Sequence, residues 1–296
     1  MLSILIPTYN YNAHPLACQI ESQAIKSGIT FEIICFDDGS LSSINRENNK
    51  INTLKFSKFT ALKNNIGLSN IRNTLAKAST YENLLFIDGD SILIDDLYLI
   101  KYLNAIKKKA EVIYGGRIHP RKVDSKRKLR WKYGKFREDL NALQRKKNIY
   151  KSILFNNTLI KKSVFNKIGF EKSITQYGHE DTVFAYNLSK IKASILHIDN
   201  PVLHDDVDLN KTYICKTKKG LENLNLIYKT RLIEPDFVYF IKVFNKIKKV
   251  KLNYPLAFTY KIFHKILLFN LTSKNPSLRI FNLFRLSYFC YINLNK

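Results

Sequence analysis

The feature that most constrains this chain is a set of short, continuously apolar runs that each stop at polar or acidic residues. SILIPTYN (3–10), FEIICFDDGS (31–40) and LLFIDGDS (84–91) are too short for core helices and too uniformly apolar for half-exposed strands. Strands apolar on both faces, alternating with helical segments, imply a parallel sheet covered by helices on both sides. The intervening text fits. Residues 13–27 have helical spacing and stop at Gly28, KFTALKNNIGLSNIRNTLAKA (58–78) reads as strand, turn and a helix from Ser69, and 95–109 reads as helix. AEVIYGG (110–116) is a further strand, and SILFNNTLIKKSVFNKI (152–168) is strand then helix. QYGHEDTVFAYNLSKI (176–191) is a glycine turn feeding a helix, and SILHIDNPVLH (194–204) is one apolar strand. The expected fold is therefore α/β: an open, mostly parallel twisted sheet flanked by helices.

Charge divides the chain further. The net charge is +25, of which residues 101–151 and residues 211–296 carry +14 each, while the remainder sums to −3. A near-neutral body thus carries two basic regions suited to nucleic acid, an anionic membrane face or phosphorylated substrates. The first includes RIHPRKVDSKRKLRWKYGKFREDLNALQRKKNIY (117–150), read as a basic excursion from the sheet. The second gives domain bounds of 1–210 for the α/β body and 211–296 for a basic amphipathic helical extension. From about 233 to 293 aromatics and aliphatics alternate with lysines. Two readings stay open, a helical cap on the core or an in-plane membrane-surface helix pair. The four cysteines have no metal-ligand or disulfide spacing, which suits a reducing, cytoplasmic setting. The N-terminus does not read as a secretory leader, and no apolar run reaches about 18 residues.

Ligands of open α/β sheets bind where strands end and their order switches. Four segments deliver polar groups to that edge: Pro7, Thr8, Tyr9 and Asn10; Asp37, Asp38, Gly39 and Ser40; Asp88 and Asp90; and Gly178, His179, Glu180 and Asp181. Each alone is an ordinary turn. Together they describe a phosphate and metal site. Hard cations such as Mg²⁺ or Mn²⁺ take one or two carboxylates plus phosphates and water. Asp88 and Asp90 offer the carboxylates, and Gly89 allows close backbone approach. His204 is either a nitrogen ligand acceptable to Mn²⁺ or a hydrogen-bonded strand-end histidine. Glu180 and Asp181 either complement a helix dipole or remove a proton from an acceptor hydroxyl. Arg72 is placed to pair with phosphate or with one of the acids.

With these residues assembled, the chain resembles glycosyltransferase family 2, the inverting nucleotide-sugar transferases of GT-A fold. SILIPTYN looks like the family's opening strand, FDDGS like its second-strand motif, and NNIGLSNIRN like its glycine turn and helix. FIDGDS looks like its DxD motif and GHED like its acidic catalytic motif. The match spans about residues 1–205. It implies that Pro7, Thr8, Tyr9, Asp37 and Asp38 hold the nucleoside, with Gly67, Arg72, Asp88 and Gly89 near the nucleotide. It implies that Asp90 binds the metal with His204, and that Asp181 is the general base, with Glu180 the alternative. ITQYGHEDTVFAYNL with the closing His204 looks like a bacterial subset that builds surface polysaccharides. In that subset's pattern Asn156 and Asn157 contact donor or acceptor, and His179 departs from many relatives. The expected enzyme is a metal-dependent hexosyltransferase using Mn²⁺ or Mg²⁺ and a nucleotide-sugar donor, UDP-linked for choice. Its acceptor is a glycan or lipid-linked hydroxyl at an anionic membrane surface, on the cytoplasmic side of the cell membrane.

Three rivals are set against this. A nucleic-acid binder would use the charge and the aromatics Trp131 and Tyr133, but the acidic cluster opposes it and no binding module is present. A nucleotidyltransferase should show a Gly-rich basic phosphate loop where PTYNYNAHP stands. A catalytically inactive scaffold of the same fold is opposed by the intact Asp88, Asp90 and Asp181.

Overall fold

A computed structural model describes residues 1–294. The strands are β1 (Leu2–Thr8), β2 (Phe31–Asp37), β3 (Ser57–Ala61), β4 (Asn83–Ile87), β5 (Ser91–Leu93), β6 (Val112–Tyr114), β7 (Arg117–Ile118), β8 (Asn157–Lys161), β9 (Ile195–His197) and β10 (Val202–His204). Seven form one sheet in the order β3-β2-β1-β4-β8-β6-β9. The first four run parallel, β8 is antiparallel to both its neighbours, and β6 and β9 are parallel. A small second sheet has the order β5-β10-β7. The strand order reverses beside β1, with β2 on one side and β4 on the other, which makes the carboxyl end of β1 the switch point.

The period-2 pattern of β1 explains the layering. Leu2, Ile4 and Ile6 pack with helices His14–Lys26 and Tyr98–Ile106, and Leu5 packs on the other face. That other face is aromatic: Phe155 lies 4.4 Å from Phe184 and 4.8 Å from Phe170, ring centre to ring centre. One expectation is overturned. Residues 194–204 are not a single strand but two, β9 and β10, in different sheets, because Pro201 in the IDNP stretch has no amide hydrogen for a continuing ladder.

The chain forms two compact units. The first comprises Met1–His119, Asp139–Thr175 and Phe184–Asp206; the second comprises Pro120–Glu138, Gln176–Val183 and Val207–Lys296. The basic excursion is therefore divided at Glu138, with short helical pieces on either side. In the second unit, helices Asn210–Lys229, Tyr239–Lys249, Asn253–Leu271 and Leu278–Leu294 enclose a separate apolar cluster that includes Phe244, Leu271, Phe281, Phe284 and Phe289. Among the described residues no helix is long and apolar enough to cross a membrane.

Candidate active site

Backbone hydrogen bonds draw four chain segments together at the carboxyl end of β1. Thr8 pairs in register with Asp37, and the Asp38 amide donates to the Thr8 carbonyl at 2.9 Å. The Gly89 amide donates to the Pro7 carbonyl at 3.0 Å, and the Asp88 amide donates to that of Asn156 at 3.2 Å. A β-carbon at residue 89 would stand 2.8 Å from both Cβ and Oγ1 of Thr8. Glycine is required here by the close approach of two strand ends rather than by an unusual φ. Within this frame Thr8 is 5% exposed and donates from Oγ1 to the Tyr11 carbonyl, while Tyr9 is 58% exposed.

The acids have different local jobs. Both Asp38 oxygens are taken by backbone, Oδ1 by the Ile66 amide at 2.8 Å and Oδ2 by the Gly67 amide at 3.0 Å. Asp38 thereby anchors the turn that starts helix Leu68–Ala78, where Gly67 sits at φ +82°. Burial pushes the Asp38 carboxyl up, the two amides pull it back, and Asp37 adds a further upward push. Asp37 Oδ2 accepts from the Ser40 amide and from Asn45 Nδ2, while its Oδ1 is buried without a hydrogen-bond partner. Arg72, 1% exposed on that same helix, donates from Nη2 to Asp88 Oδ1 at 3.2 Å. Its guanidinium lies over the rings of Phe155 and Phe170 at 5.8 and 5.2 Å.

Asp90 immediately precedes β5, and β10 pairs antiparallel with β5 so that His204 stands opposite Ser91. This register brings His204 Nδ1 to 3.2 Å from Asp90 Oδ2. Burial pushes the Asp90 carboxyl up, but the hydrogen bond and charge of His204, with the charge of Arg117, hold it below the usual range. Asp90 Oδ1 is buried and has no hydrogen-bond partner. Among the described residues no three His, Cys, Asp or Glu side chains form a group able to hold a metal ion. Two protein ligands with the donor's phosphates completing the shell is nevertheless the usual arrangement for Mg²⁺ and Mn²⁺. The orphaned Asp90 oxygen beside a histidine nitrogen fits such an ion.

The structure also adds residues that the sequence reading missed. His119 accepts or donates at 2.6 Å with Asp139 Oδ1 and stands edge-on to His204 at 5.6 Å. The Tyr11 hydroxyl is pushed up by burial and then by the charges of Asp90, Asp205 and Asp206. Only the glycine pair before RIHP, and the acids after His204, hint at these contacts in the sequence.

Asn157 is fully buried, accepts from the hydroxyls of Tyr98 and Tyr102, and donates to the carbonyls of Gly116 and Asn200. All four of its side-chain hydrogen-bonding positions tie loops together. Its neighbour Asn156, 5% exposed, keeps a buried Oδ1 without a partner.

Glu180 and Asp181 belong to the second unit, in the first turn of helix Glu180–Lys190. Gly178 and His179 before them have φ of +94° and +71°. The Gly178 carbonyl accepts from Asn223 Nδ2, which fixes this entry turn. Burial and the charge of Arg285 lower the His179 imidazole to about 4.

A mainly parallel sheet with this switch point and this acidic edge is the GT-A arrangement of glycosyltransferases. The family model described as Glycosyl transferase family 2 matches residues 3–169, more than half of the chain, and the protein belongs to that family and is a glycosyltransferase. No curated protein sequence matches it. Among solved structures it is similar to S. aureus TarS 1-349, with a TM-score of 0.50 and 17% identity over 99% of this chain and 91% of that one. It is also similar to the mannosyltransferase PcManGT from Pyrobaculum calidifontis in complex with GDP-Man and Mn2+. There the TM-score is 0.52 and the identity 11%, over 77% of this chain and 64% of that one. A longer S. aureus TarS chain aligns with a TM-score of 0.49 and 18% identity over 77% of this chain, which spans 43% of that one.

Proposed function

We propose that this glycosyltransferase moves a sugar, with inversion, from a nucleoside-diphosphate sugar to a hydroxyl of a glycan or lipid-linked acceptor in cell-surface polysaccharide synthesis. The acceptor is met at the anionic inner face of the cell membrane, with transfer assigned to residues 1–210, the acceptor side to the basic excursion 117–150 within them, and the basic amphipathic helical region to 211–296. The observation that carries the reading is the convergence of Asp37, Asp38, the Arg72–Asp88 pair and the Asp90–His204 pair at one strand-order switch. The mannosyltransferase of similar fold, solved with GDP-Man and Mn2+, supports a donor of that chemical class.

In this mechanism Asp37, with its free buried oxygen, and Asn156 accept hydrogen bonds from the nucleoside. Asp38 holds the 64–67 turn so that its backbone frames the base. Arg72 keeps the Asp88 carboxylate fixed toward the ribose and phosphate side. Asp90 and His204 would hold Mn²⁺ or Mg²⁺, which when bound supplies Lewis-acid neutralisation of the charge that gathers on a departing diphosphate. Asp181 takes the proton of the acceptor hydroxyl as that oxygen attacks the anomeric carbon from the face opposite the leaving group, and Glu180 orients the acceptor.

Nucleotide release from UDP-, GDP- and TDP-sugars, with Mn²⁺ or Mg²⁺, tests this. One donor should be hydrolysed slowly, and Asp90→Asn or chelator should cut that rate by about a hundredfold or more. Silence with every donor, combined with no nucleotide-dependent rise in melting temperature, would remove the reading.

A further inference from the structure

Helix Asn253–Leu271 is two-sided in an unusual way. Asn253, Ala257, Tyr260, Leu267 and Leu271 face the core of the second unit. At about 100° per residue the far side carries Tyr254, Phe258, Ile262, Ile266 and Phe269, which are 60%, 61%, 50%, 65% and 80% exposed. A solvated helix carries polar residues there. Lys261 and Lys265 are exposed along one edge of this apolar strip. The turn leading into the helix repeats the pattern, with exposed Val250 and Leu252 among Lys248, Lys249 and Lys251. Beyond Asp236 the chain has eleven Lys and Arg residues and no Asp or Glu.

A cavity of about 870 Å³ opens along the same lysine edge, walled by helices Asn210–Lys229, Asn253–Leu271 and Leu278–Leu294. Lys211, Lys218, Lys261 and His264 bring its positive and hydrogen-bonding groups. Its acid, Glu222, is occupied by the Tyr288 hydroxyl, and Lys218 lies over the Tyr288 ring at 4.8 Å. His264 Nδ1 is buried without a partner. Such a lining suits an anionic oxygen cluster joined to an apolar body. Lys261 belongs both to the cavity and to the border of the strip, so one ligand can meet both.

We propose that helix Asn253–Leu271 lies in the headgroup plane of an anionic bilayer through this strip, and that the adjoining cavity seats the phosphate of a lipid headgroup. The chemistry is charge complementarity with apolar insertion: aromatic and aliphatic side chains enter the acyl boundary while the surrounding lysines meet headgroup phosphates. A nucleic-acid strand would leave Ile262 and Ile266 unmatched, and a protein partner would need an acidic rim around an apolar groove. The proposal deepens the membrane part of the reading above and is independent of the sugar chemistry.

Flotation with vesicles tests it, using neutral phosphatidylcholine alone and with about 30% phosphatidylglycerol added, at physiological salt. The full-length protein should float with the anionic vesicles and bind them about tenfold more strongly than the neutral ones. Phe258→Ser with Phe269→Ser, both at exposed positions, should lower binding about tenfold with an unchanged melting temperature. Lys218→Gln with Lys261→Gln should erase the preference for anionic lipid while apolar binding persists. Inorganic phosphate at constant ionic strength should weaken flotation of the wild type and not of the lysine variant. Equal flotation on both vesicle types, undiminished flotation of the phenylalanine variant, or phosphate binding without vesicle binding overturns the proposal. Nucleotide release measured on the same samples separates the two readings. A protein that releases nucleotide but does not float loses only the membrane site, and one that floats but releases nothing loses only the transfer reading.

Discussion

Arg72 shows how one residue serves both stability and site geometry. A guanidinium that is 1% exposed holds Asp88 while lying over two phenylalanine rings. Arg72→Met keeps the bulk and removes the charge. Because the Asp88 side chain is 28% exposed, water replaces part of the lost interaction, and the cost falls below that of a fully buried pair. A destabilisation of about 2 kcal/mol in urea unfolding is expected, with nucleotide release lowered more than stability alone accounts for. A second prediction belongs to His179. Its imidazole is lowered from 6.5 to about 4 in the folded chain, so the unfolded chain binds the proton more strongly between those values. Stability from this group is present above pH 6.5 and is lost as pH falls toward 4. The stability advantage of wild type over His179→Gln should therefore shrink between pH 7 and pH 4.5; an advantage that grew on acidification would contradict the burial of the neutral ring.

At the scale of elements, the turn 88–90 is the junction on which the site depends. It follows β4, leans on the end of β1 and leads into β5, whose partner β10 delivers His204. Gly89→Ala puts a methyl 2.8 Å from the Thr8 side chain and 3.3 Å from the Pro7 carbonyl. Strand ends move together or the turn lifts, at a cost of about 1–3 kcal/mol. The same displacement should lower nucleotide release at least tenfold if the catalytic geometry rests on this junction. A variant with wild-type release and melting temperature would show that the turn tolerates the shift and that the junction is not what positions Asp90.

At the scale of the whole molecule, the charge of +25 predicts nonspecific polyanion binding. The protein should be retained on heparin and released by about 0.5 M salt, with no preference among short duplexes, because such contacts depend on counterion release. Sequence-selective duplex binding that survived that salt would revive the nucleic-acid rival. The excess positive charge is carried by the two regions 101–151 and 211–296 while the rest of the chain is near neutral. The acidic strand ends therefore do not have to be reconciled with a basic sheet edge.

Much of this was legible in the linear chain, for a definite reason. Runs such as SILIP and LLFI are buried on both faces, so hydrophobicity alone announces the central strands, and the polar groups that follow them necessarily lie at one sheet edge. Asp37, Asp38, Asp88 and Asp90 could be located in this way without a structure. What each does could not. Asp38 spends both oxygens on the Ile66 and Gly67 amides, Asn157 is enclosed by two tyrosines, and the break at Pro201 sends β10 into a second sheet. The Asp90–His204 pair exists only because β10 registers against β5 across more than 100 residues of chain. Local hydrophobic pattern determined where the strands and their acidic ends fall; long-range register and hydrogen-bond competition decided which acids keep a free oxygen, because those partners come from segments remote in sequence.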